Sequence, residues 1–140
     1  YRLFPLIQRD VTQQSYLSKR ISYFDAAEFL NGNAKGKRTI MVGETRNAYF
    51  RSRLVPFSYT DRDPLLKWSS AVRDSNELYQ KLKTENVGYI LYNPQELKRL
   101  TQQYGIWRAS PEDNLKVKQL LSRHGKIMFS RNGVVVIEIQ

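Results

Sequence analysis

From Tyr16 onward the apolar positions Tyr16, Leu17, Ile21, Tyr23, Phe24, Ala27, Phe29 and Leu30 recur at steps near three and four. That spacing predicts one or two amphipathic helices, ending at Asn31-Gly32-Asn33, residues that tolerate a left-handed terminator. The chain up to Ser15 has no clear period and reads as an extended lead-in. Thr39-Ile40-Met41-Val42, β-branched and bounded by Gly36 and Gly43, predicts a strand buried on both faces. A second short strand is expected at Leu54-Val55-Pro56-Phe57, where Pro56 cannot donate to a ladder and pushes it to an edge. Residues 58–74 read as a long surface loop with a turn of helix around Leu65 and Trp68.

Local signals then sharpen. Asp74 or Ser75 caps a helix with an apolar stripe of Leu78, Tyr79 and Leu82, ending by Asn86, and Gly88-Tyr89-Ile90-Leu91-Tyr92 is the next strand. Asn93-Pro94-Gln95-Glu96 is a helix start, because Asn93 caps, Pro94 needs no amide partner in the first turn and Glu96 reaches back. Leu97, Leu100 and Tyr104 give that helix its apolar face. Ser110-Pro111-Glu112-Asp113 repeats the device, and the helix it opens runs to Gly125, a C-terminal glycine. Residues 126–130 and 134–139 flank Arg131-Asn132-Gly133, and Asn-Gly between two apolar runs predicts a hairpin. The fold class that results is α/β: a mixed, mainly parallel sheet flanked by helices, with a C-terminal antiparallel hairpin.

Length and composition agree with one folded domain spanning 1–140. The 140 residues are 41% hydrophobic and 12% aromatic, enough apolar surface to offset chain entropy. The absence of cysteine removes disulfides, thiol nucleophiles and cysteine-ligated metals. The formal charge of +10 would draw the protein to polyanions or anionic headgroups. The charge is spread, with 12 basic and 6 acidic groups in residues 1–70 against 11 and 7 in the rest, so no basic tail or block forms. A start at Tyr1 with neither initiator Met nor signal-peptide pattern suggests a segment excised from a longer chain.

Material for catalysis is sparse. The single histidine, His124, closes a predicted helix, where the helix dipole favours a cation. Asp61 and Asp63 could hold a hard cation or form an ordinary turn, and with one His and no Cys the expectation is no bound metal and no cofactor. No P-loop, G-x-G-x-x-G or G-x-S-x-G pattern occurs. Basic residues interleave with aromatics at Tyr49-Phe50-Arg51-Ser52-Arg53 and Ile106-Trp107-Arg108, which fits at most weak nucleic-acid binding without sequence preference. In open α/β sheets ligands lie beyond the carboxyl ends of the strands, which singles out Glu44, Arg46 and Asn47 after the first strand and Asn93 after the third. Glu44 and Arg46 could receive a polar ligand or pair to anchor their loop.

Read together, Tyr16-Leu17-Ser18-Lys19-Arg20, residues 23–31 (YFDAAEFLN), residues 40–50 (IMVGETRNAYF) and residues 87–93 (VGYILYN) form a known arrangement. It resembles the C-terminal extracytoplasmic domain of bacterial multi-spanning glycosyltransferases similar to dolichyl-phosphate-mannose protein mannosyltransferases. The resemblance covers most of the chain, and Phe29 stands where another aromatic is frequent. It implies a non-catalytic appendage on the outer face of a membrane, beside a polyprenyl-phosphate-sugar transferase whose catalytic acids lie elsewhere, so no catalytic residue carries over. The partners it implies are the membrane part of the parent chain, anionic lipid headgroups, and a lipid-linked sugar or acceptor. The isolated domain would be a monomer. Alternatives are a basic nucleic-acid-binding module and a small enzyme acting at the carboxyl edge of the sheet around Glu44 and Asn93.

Overall fold

A computed structural model describes residues 22–44, 49–56, 63–105 and 107–140. In chain order these form α1 (Phe24–Asn33), β1 (Arg38–Val42), α2 (Pro64–Ala71), α3 (Ser75–Thr84), β2 (Val87–Tyr92), α4 (Pro94–Tyr104), α5 (Pro111–His124), β3 (Gly125–Arg131) and β4 (Val134–Ile139). The four strands make one sheet in the order β1-β2-β4-β3. β1 pairs β2 in parallel, while β2–β4 and β3–β4 are antiparallel. The fold is thus the expected mixed α/β sheet with a C-terminal hairpin, although among the four strands only the β1–β2 pairing is parallel.

Strand alternation sorts the core into two clusters, one on each face. Ile40, Val42, Ile90 and Ile139 meet Leu65 of α2, Leu78 and Leu82 of α3, and Val117 and Leu120 of α5. Met41, Tyr89, Leu91, Val134 and Val136 meet Tyr23, Ala26, Ala27 and Leu30 on and beside α1. β2 therefore lies between two apolar layers, which is why its sequence is an unbroken apolar run. β3 is an edge strand, exposed along most of its length.

Several local expectations change. Gly32 lies inside α1, which continues through Asn33, and the left-handed residues come later, at Lys35 and Gly36. The second expected strand is only a parallel bridge from Leu54 to Thr39, because Pro56 cannot extend the ladder. Phe57 and the predicted helix before Ile21 lie outside the described residues. The loop expected up to residue 74 contains the eight-residue helix α2, which buries Leu65 and Leu66. Gly125 is not a left-handed terminator, since at φ −89° and ψ 138° it passes directly into β3. The Asn132-Gly133 turn does have positive φ at both residues, 57° and 77°, the combination that matches the twist of a two-residue hairpin.

Candidate functional site at the carboxyl edge of the sheet

β1 and β2 end side by side, and the backbone fixes how they leave the sheet. The Asn93 amide donates to the Val42 carbonyl at 3.0 Å, and Leu97 N–H donates to the Asn93 carbonyl at 2.9 Å, so α4 starts where the ladder stops. Gly43, at φ +83°, lies under that start. A Cβ there would sit 2.5 Å from the Asn93 carbonyl oxygen and 2.8 Å from the Leu97 nitrogen, both backbone atoms that cannot move aside. Only glycine permits β1 to end against the first turn of α4.

This geometry brings together two of the four residues expected at the edge. Glu44 and Asn93 are both buried, and Asn93 Nδ2 donates to Glu44 Oε2 at 3.2 Å. The Asn93 Oδ1 faces the other way and caps α4, accepting from Glu96 N–H at 3.4 Å. Both ends of the amide are thereby occupied within the protein. Arg46 and Asn47 lie outside the described residues, as does Asp61.

A third polar residue, Asp63, belongs to the same edge and was read from sequence only as part of a turn. It is fully buried and is the N-cap of α2, with Oδ1 accepting from Leu65 N–H at 3.0 Å. Burial pushes its carboxyl up to about 7, against the opposing pull of the Leu65, Gly43 and Leu66 amides. Its Oδ2 closes no hydrogen bond of good geometry among the described residues. The signal for Asp63 was available: Asp63-Pro64 is the same cap-then-proline start as Asn93-Pro94 and Ser110-Pro111.

The other candidates serve the architecture. His124 stacks on Tyr79 with ring centroids 3.7 Å apart, and its carbonyl accepts from Gln140 N–H at 2.8 Å. Tyr49 and Phe50 pack on the aromatic side chains of α1 and its cap, at 5.3 Å from Phe24 and 5.8 Å from Tyr23. Asn31 pins their segment, donating to the Tyr49 carbonyl at 2.9 Å and accepting from the Arg51 and Ser52 amides. Trp107 rests against the core, its indole N–H donating to Asn114 Oδ1 at 3.1 Å. All three rings are partly buried against the core, and Ile106 lies outside the described residues. Among the described residues, no three His, Asp or Glu side chains are gathered as a metal site would need, and no helix is long and apolar enough to cross a membrane.

No family model matches the chain, and neither does any curated protein sequence. Its fold does match. It is similar to the crystal structure of the C-terminal globular domain of an oligosaccharyltransferase from Archaeoglobus fulgidus, with a TM-score of 0.54 and 11% identity. The match covers 86% of this chain and 97% of that domain. At this identity the likeness is one of fold.

Proposed function

We propose that this chain is a non-catalytic accessory domain of a membrane glycosyltransferase that uses a polyprenyl-phosphate sugar, and that it stands on the extracytoplasmic side as the C-terminal part of the parent. The observation that carries this reading is the correspondence with nearly the whole of a C-terminal globular domain of an oligosaccharyltransferase. It joins the sequence resemblance to mannosyltransferase-like enzymes, reached independently from the motifs around Tyr23, Ile40 and Val87. The polar edge supports a structural role, because Glu44 and Asn93 hydrogen-bond to each other and Asn93 and Asp63 cap helices.

The test is made on the parent reading frame. Hydrophobic spans immediately before Tyr1 are expected, as is transfer activity that persists within about two-fold in the parent carrying Glu44→Gln. The 140-residue chain alone should transfer and hydrolyse nothing. Turnover of a lipid-linked sugar by the chain alone, or a parent frame with no membrane span, would overturn the proposal.

A further inference from the structure

At the end of the sheet away from Glu44 and Asn93, where β1 and β2 begin and β4 ends, lies an open groove of about 290 Å³. That volume is at the lower limit of small-molecule sites. Charged side chains belong to its lining: Lys35 and Lys37 from the turn after α1, and Glu138 from β4. Ala34, Tyr89 and Ile139 supply its buried apolar surface. The backbone fixes both lysines. Lys35 takes φ +49° and Gly36 φ +84°, a reversal fastened by the Lys37 amide, which donates to the Ala34 carbonyl at 3.0 Å, and by Asn86 Nδ2, which donates to the Gly36 carbonyl at 3.1 Å. The aliphatic stem of Lys37 lies on Gly88, where a Cβ would stand 2.8 Å from Lys37 Cβ and 2.9 Å from Cγ.

Neither ammonium has an ion-pair or hydrogen-bond partner among the described residues, although Glu138 lines the same groove. The Glu138 carboxylate is engaged by neutral groups instead: Gln140 Nε2 donates to Oε1 at 3.2 Å, and the Tyr89 hydroxyl is 3.5 Å from Oε2. A carboxylate has about four acceptor positions, so Glu138 keeps room for further donors. Asn33 Nδ2 donates to the Phe29 carbonyl at 2.7 Å, which leaves its Oδ1 as another acceptor at the groove. The neighbouring charges do not neutralise the lysines. Glu85 is paired with Arg38 and Lys81, and Lys126 stands opposite Glu138 in the register of β3 and β4. A simple anion would meet the lysines but be repelled by Glu138, and a neutral polyol would leave both ammonium groups unused. A hydroxyl-bearing anion satisfies the two sets together.

We propose that this groove binds a hydroxyl-bearing anion of monosaccharide size, a hexuronate or a hexose phosphate, with its carboxylate or phosphate on Lys35 and Lys37 and its hydroxyls on Glu138 and Asn33. The site does not depend on the accessory-domain reading, since the 140-residue chain is tested for it directly. Glucuronate, glucose 6-phosphate, glucose and inorganic phosphate are titrated separately against the ¹⁵N-labelled chain by NMR, at about 0.15 M salt. Glucuronate or glucose 6-phosphate should shift the amides of Lys37, Gly88, Tyr89 and Gln140 saturably, with a Kd of about 1 mM, the tighter of the two identifying the anionic group. Glucose and inorganic phosphate should each bind at least about ten-fold more weakly, because each meets only half of the site. Lys35→Gln with Lys37→Gln should weaken the hydroxylated anion at least about ten-fold and leave the rest of the spectrum in place. Glu138→Ala should narrow its preference over inorganic phosphate to about three-fold or less. No saturable shift from either hydroxylated anion, shifts produced equally by inorganic phosphate or by glucose, binding that survives the folded double lysine variant, or a preference unchanged in Glu138→Ala would each overturn the proposal.

Discussion

At the scale of single residues, Asp63 sets the most specific expectation. In the unfolded chain it titrates near 3.8 and in the folded one near 7. Between those values the unfolded chain has released a proton that the folded chain keeps, so stability falls as pH rises from about 4 to 7 and is level outside that window as far as this group is concerned. The contribution is at most about 4 kcal/mol. Asp63→Asn keeps an oxygen to accept from Leu65 N–H and carries no charge. It should therefore be more stable than the wild type at pH 8 and lose most of that advantage at pH 4, as urea unfolding at the two pH values would show. The same edge supplies a second expectation. Asn93→Ala removes the α4 cap and the donor to buried Glu44, and should cost about 2 to 4 kcal/mol. Combined with Glu44→Gln the loss should fall short of the sum of the single losses, because the two groups share one hydrogen bond. Additive losses in a double-mutant cycle would show that Asn93 and Glu44 do not support each other.

Among the elements, α4 stands apart from α2, α3 and α5. It is sharply amphipathic in sequence, yet Leu100 is its one fully buried residue. Its ends are well made: Asn93 and Pro94 start it, and Gly105, at φ +68°, closes it with an amide bond back to the Thr101 carbonyl. A helix held mainly by its caps opens locally at less cost than one held by a buried face. The amides of α4 are thus expected to exchange with solvent faster than those of α5 and β2, measured by native-state hydrogen exchange. The opposite design holds α2. Lys116 reaches from α5 and donates its ammonium to the Ser69 and Val72 carbonyls at 3.0 and 2.8 Å, satisfying acceptors at the end of α2 while pairing with Asp113. Lys116→Met should destabilise the protein by about 1 to 3 kcal/mol, through unpaired carbonyls more than lost charge.

For the molecule as a whole, the two apolar clusters are coupled because they share β2 and β4: adjacent residues such as Ile90 and Leu91 belong to opposite faces. Neither face can lose its packing while the other keeps a flat, paired sheet, so unfolding should be a single transition. The exposed edge strand β3 carries Ile127 at 67% exposure, which invites edge pairing, but Lys126 and Arg131 lie on the same strand and its register is interrupted between Ile127 and Phe129. Like charge and a bulge oppose pairing between copies. Sedimentation at micromolar concentration is expected to show a monomer, with a melting temperature independent of concentration; a dimer would mean that β3 pairs in spite of its lysine and arginine.

The sequence by itself determined the elements whose causes are local. Asn93-Pro94 and Ser110-Pro111 announce helices because a cap and a proline act within one turn, and Asn132-Gly133 announces a hairpin because both residues accept positive φ. The α/β class followed from the spacing of those elements. The sequence also placed Glu44 and Asn93 at the end of strands, which is a matter of chain order. Only the tertiary structure decided that they touch, since their hydrogen bond spans 49 positions and depends on β1 pairing with β2 in one register. It likewise decided the fate of Asp63, an ordinary turn acid by its neighbours in sequence. Its displaced titration comes from burial, which distant parts of the fold impose and no short stretch of sequence records. An apolar cavity lined by Val42, Leu97, Val117 and Ile137 has the same origin: β1, α4, α5 and β4 leave a gap that none of them encodes alone.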